Sequence, residues 1–188
     1  MKHSIFAVSV LLLTDSTLAE SEGFTPICDT AHTSLTDQYK GKWLVDWTYR
    51  TAPDIYETTT ATSRITDTPG VCGLREHFEG MRDEPYFYEW TTTSLQEAKP
   101  EGIWLDSAHG HFLHYTGAEG DNNWPIRFVW NHENGRLQTR LQYSAVEKGG
   151  FTIERHLSSD GGQAWALTSK AHYTPYITSA ANTLRKSR

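Results

Sequence analysis

The chain has 188 residues, enough for one ordinary domain, and its 37% apolar content supports a single core rather than a membrane-embedded body. Seven Trp, nine Tyr and seven Phe bring the aromatic share to 12%, which argues against intrinsic disorder. A net charge of −6 sets the chain against phosphate, so nucleic acid is not an expected partner.

Residues 1–19 have the form of a secretory leader. Lys2 and His3 give a basic start, Ile5 to Leu13 is apolar, and Thr17-Leu18-Ala19 places small residues before a cut expected after Ala19. The apolar run is far shorter than the roughly 20 residues of a spanning helix. The mature chain is therefore expected to be secreted or periplasmic, with no membrane span. In such an oxidising compartment Cys28 and Cys72 are expected to form a disulfide that stabilises by about 4 kcal/mol on the chain-entropy model. Their spacing lacks the CxxC pattern of a metal site. The bridge would tie an N-terminal arm (20–41), with a helical turn over 34–39, to a body spanning 42–175. The tail 176–188, with Arg185, Lys186 and Arg188, reads as a solvated end.

From Lys42 onward, short stretches rich in β-branched and aromatic residues alternate with turn residues. Trp43, Val45, Trp47 and Tyr49 fall on one face of a strand over 42–50. Further strands are expected over 55–66, 71–79, 86–93, 102–106, 111–117, 124–131, 135–145, 151–158 and 163–175. Pro69-Gly70, Asn134-Gly135, Gly149-Gly150 and Asp160-Gly161-Gly162 are among the punctuators, most of them short enough for hairpins. A run of about ten hairpin-linked strands leaves vulnerable edges unless it closes. The expected fold is thus all-β, an antiparallel up-and-down barrel. A barrel of this size can hold a small ligand.

Charges on apolar strand faces are the candidate orienting groups. On 71–79 the face Cys72, Leu74, Glu76, Phe78 carries a single carboxylate, which if buried must be paired or protonated. Its expected partners are Arg127, Arg140 and Arg155, in an internal ion pair first and a ligand anchor second. No cofactor is expected. His109, His111 and His114 form the densest histidine group, but His109-Gly110 reads as a turn that separates them. Haem held by one of His77, His114, His156 or His172 is the alternative. There is no Gly-x-Ser-x-Gly elbow and no glycine-rich loop opening a helix, so hydrolase triads and nucleotide folds have no anchor. Carboxylate pairs such as Asp46 with Glu76 or Glu89 could transfer protons across a barrel. The aromatic rings either fill the interior or line a pocket.

Gly41-Lys42-Trp43, opening the first strand after a short helical turn, resembles the Gly-x-Trp start of lipocalins and other calycins. Ser159-Asp160-Gly161-Gly162-Gln163-Ala164-Trp165, followed by Ala171-His172-Tyr173-Thr174, resembles the closing hairpin of a group of bacterial lipocalin-like barrels. Gly73-Leu74-Arg75-Glu76 is similar to their third strand. The likeness spans about 39–175 and implies a calycin-like barrel for an apolar small molecule. It transfers no catalytic residues. In lipocalins a late basic residue stacks on that Trp, and Lys170 is the candidate here.

These readings converge on an exported lipocalin-like barrel that binds a small hydrophobic or aromatic molecule in its interior. The expected lining is Trp43, Trp47, Glu76, Tyr88, Trp90, Phe128, Arg140 and Arg155. A barrel enzyme of lyase, isomerase or hydrolase type using acid/base carboxylates is the alternative, and a structural module with a filled core is the third.

Overall fold

The computed structural model describes residues 35–68, 72–92, 101–108, 110, 112–118, 125–132 and 135–177. The expected leader and its cut, Cys28, His109, His111, Trp124 and the basic tail lie outside them. Ten strands follow one another: β1 (Gly41–Ala52), β2 (Ile55–Asp67), β3 (Leu74–Met81), β4 (Pro85–Thr92), β5 (Glu101–Asp106), β6 (Phe112–Ala118), β7 (Ile126–Asn131), β8 (Gln138–Tyr143), β9 (Phe151–Ser158) and β10 (Ala166–Pro175). Each pairs antiparallel with its sequence neighbour. β1 also pairs with β10, from Trp43↔Pro175 to Tyr49↔Ser169, so the sheet is a closed barrel in which every strand has two partners. Closure satisfies the backbone donors and acceptors that an open meander would expose. Among the described residues, no helix is long and apolar enough to cross a membrane.

The period-two alternation read from β1 holds around the ring. Trp43, Val45, Trp47 and Tyr49 point inward and are buried, as are Tyr86, Tyr88 and Trp90 of β4. The inward rings interlock across the barrel. Tyr88 stacks on Phe78 at 4.6 Å and on Trp104 at 4.1 Å between centroids, while Trp90 meets Phe128 edge-on at 5.0 Å. Such pairs contribute about 0.5–1.5 kcal/mol each beyond the area they bury. The aromatic excess in the composition is thus mainly core. Among the described residues, the enclosed space between the inward rings measures about 40 Å³, room for a small group rather than for a whole aromatic ligand.

One end of the barrel is plugged. Residues 35–37 form a helical turn. Tyr39 below it is fully buried and donates its hydroxyl to the Ser144 carbonyl at 2.7 Å. Trp43 Nε1 donates to the Tyr39 carbonyl at 2.9 Å and its ring meets Phe151 edge-on at 5.0 Å. The Gly-x-Trp segment therefore closes this end, but Lys170 does not stack on Trp43. It faces outward on β10, where Nζ pairs with Glu154 at 3.0 Å. Cys72 is buried at the bend before β3 and is not a free thiol.

β10 starts three residues later than the sequence suggests because the preceding loop uses its own donors. Asp160 Oδ1 accepts the N–H groups of Gln163 and Ala164, both at 3.0 Å, and Ser158 Oγ accepts that of Gly162 at 2.8 Å. With those amides taken, the chain cannot join the ladder before Ala166.

Candidate ligand site

The other end is open. The C-terminal parts of the odd-numbered strands and the turns that follow them surround a mouth of about 450 Å³, inside the size range of small-molecule pockets. Its walls include Tyr49, Tyr86 and Trp130, and its cationic groups are Arg50, Arg82 and Arg155. Arg82, in the β3–β4 turn, lies over the Tyr49 ring at 4.7 Å, with Tyr86 and Trp47 at 5.8 and 5.9 Å. Stacking fixes a guanidinium while leaving its five N–H donors in its own plane for an acceptor. Arg155 reaches inward from β9 to lie over Trp104 at 5.5 Å. Among the described residues, no carboxylate lies within 4.0 Å of the charged atoms of these three arginines. His132 shares the mouth, its ring 3.7 Å from that of Trp130. Burial and then the charge of Arg155 push its pKa down, toward the neutral imidazole.

Below the mouth lies the small enclosed chamber. The two spaces share Trp47, Tyr86, Arg155 and Ser169, so Arg155 sits at the neck between them. Tyr88, Tyr143 and Tyr173 line the chamber, and burial drives all three phenols well above their usual range. A hydrogen-bonded chain runs from them into the core. The Tyr88 and Tyr173 hydroxyls are 3.0 Å apart, and Tyr173 donates to Glu76 Oε1 at 2.7 Å. Ser63 donates to the same oxygen at 2.7 Å, whereas Glu76 Oε2 has no hydrogen-bond partner among the described residues. Burial raises the pKa of Glu76, with the hydroxyl donors opposing it.

Six of the eight expected lining residues are buried on the inner face: Trp43, Trp47, Glu76, Tyr88, Trp90 and Phe128. Only Trp47 and Tyr88 of these reach the chamber or mouth; Trp43, Trp90 and Phe128 are packed core. Arg155 reaches both spaces. Arg140 does not line the interior. On β8 the inward phase is Thr139, Leu141 and Tyr143, so Arg140 faces outward and lies over Trp165 at 4.4 Å. There burial and the neighbouring Arg127 lower its pKa.

Glu76 is not in an ion pair with any of the three arginines expected of it. It is held by hydroxyl donors from Ser63 and Tyr173, which sequence spacing gives no means of finding. Asp46 and Glu89 lie on the outer face, so neither can form a carboxylate pair with Glu76 across the interior. The second buried acid is Asp106, which the strand reading passed over. Its Oδ2 accepts from Trp104 Nε1 at 2.8 Å and from the Tyr86 hydroxyl at 3.3 Å. Its position two residues after Trp104, on the same face, was the available signal.

His77, His114, His156 and His172 all occupy outward phases of their strands, so none can ligate a haem inside the barrel. Among the described residues, no three His, Cys, Asp or Glu side chains are grouped to hold a metal.

A closed ten-strand antiparallel meander, plugged at one end by a helical turn and open at the other, defines the class: this is an all-β, up-and-down antiparallel barrel. No protein-family model and no curated protein matches the chain. Among solved structures it is similar to the S-type phycobiliprotein lyase CPES from Guillardia theta. The identity is 11%, over 77% of this chain and 92% of that one, with a TM-score of 0.48.

Proposed function

We propose that this barrel binds a small aromatic anion at its open mouth, with the ring between Tyr49, Tyr86 and Trp130 and the anionic group against Arg82 and Arg155. The observation that carries this reading is a pair of arginines held on aromatic rings, Arg82 and Arg155, with Arg50 beside them and no carboxylate among the described residues within 4.0 Å of the three. Arginine charges placed together repel one another, and an anionic ligand relieves that repulsion. A fully exposed cluster would have water for the same purpose, but Arg155 is half-buried. The packed core supports the mouth over the interior as the place of binding, because 40 Å³ cannot take an aromatic ring.

Calorimetric titration with 2-naphthoate tests this. Replacing Arg82 or Arg155 by Ala is expected to weaken binding about tenfold or more, the usual scale of a charge-assisted hydrogen bond. The neutral isostere 2-naphthamide should bind correspondingly less well than the acid. Equal affinity for acid and amide, or arginine variants that bind like the parent, would refute the reading.

A further inference from the structure

The hydrogen-bond chain beneath the mouth has a direction. Tyr173 gives its single proton to Glu76 Oε1, so in the Tyr88–Tyr173 contact the proton must come from Tyr88. Tyr88 thereby spends its only donor inside the core. Its oxygen keeps unused lone pairs, and Tyr88 lines the chamber. The chamber is therefore furnished with an acceptor, set among aromatic and aliphatic walls such as Phe78, Leu141 and Ile153.

Its volume of about 40 Å³ suits two or three water-sized groups, not a ring. The Trp47, Tyr86, Arg155 and Ser169 side chains that border it also border the mouth. A ring seated in the mouth with its anionic group on the arginines can present a small substituent to this space.

We infer that the chamber is a subsite for a hydrogen-bond donor, a hydroxyl carried on the mouth ligand and received by the Tyr88 oxygen. This deepens, and rests on, the reading of the mouth as an aromatic-anion site. It narrows the ligand class from aromatic acids to hydroxylated aromatic acids, and it makes Tyr88 the residue that selects between them. At the Tyr88 oxygen itself a carbonyl or ether finds no donor and is disfavoured.

The test compares three probes by calorimetry: 2-naphthoate, 6-hydroxy-2-naphthoate and 6-fluoro-2-naphthoate. Fluorine nearly matches the hydroxyl in size but cannot donate. The hydroxyl compound is expected to bind about tenfold more tightly than the fluoro compound, the equivalent of one net hydrogen bond. In Tyr88→Phe, which keeps the ring stacked on Phe78 and Trp104, that preference should fall to within about twofold. Equal binding of the hydroxyl and fluoro probes to the wild-type protein overturns the subsite without touching the mouth. So does a preference that survives Tyr88→Phe. Failure of all three naphthoates to bind overturns the mouth reading and the subsite together.

Discussion

A carboxyl group enclosed in a barrel either finds donors for both oxygens or keeps its proton, and Glu76 has both of its donors on Oε1. That is the pattern of a protonated acid, in which a carbonyl oxygen accepts twice; a carboxylate would leave Oε2 charged and unsolvated, at far greater cost. Because the folded pKa lies above the ordinary value of 4.5, the stability Glu76 contributes is fully present below that value. It is lost as pH rises through the folded pKa. Glu76→Gln, neutral at every pH, should therefore melt about as the parent does near pH 4 and several degrees higher at pH 8, as read by thermal unfolding across that range. A difference that does not change with pH would place the proton elsewhere. At this scale the sequence was partly legible. Glu76 stood out as the one charge on an apolar face, but its partners are 13 and 97 residues away in the chain. Arg140 was placed inside because alternation with apolar residues looks the same from either face of a strand. Only the ring of neighbours fixes the phase.

Strands and turns were the most legible level. Every expected strand is present with shifted boundaries, and the start of β10 moved because side chains in the loop after Ser158 captured backbone donors. What alternation could not reveal is how one strand makes room for another. Gly102 of β5 lies under the Trp90 ring of β4. A methyl group there would come within 1.9 Å of the ring carbon Cη2. Trp90 is wedged between Tyr115 and Phe128 and has little space to yield. Gly102→Ala should cost about 3 kcal/mol, at the upper end of overpacking penalties, and lower the urea midpoint accordingly. An unchanged midpoint would mean that the core is looser than the interlocked rings imply.

The molecule as a whole separates two uses of one residue type. Toward the plugged end the aromatic rings pack on one another and fill the barrel. At the open end Tyr49, Tyr86 and Trp130 line a mouth that also holds the arginines. The composition showed the aromatic excess, and alternation placed it on inward faces. The division between filling and lining depends on ring-to-ring geometry across ten strands, which no local pattern carries. Charge is divided in the same way: a chain of net charge −6 gathers three arginines at one opening, with no carboxylate among the described residues within 4.0 Å of them. Chemical-shift mapping of the full chain with 2-naphthoate tests this account most directly. The largest amide perturbations are predicted at Tyr49, Arg82, Trp130 and Leu157 around the mouth. Largest shifts at Trp43, Phe128 and Phe151 toward the plugged end, or on the outer wall at Arg140 and Trp165, would contradict it.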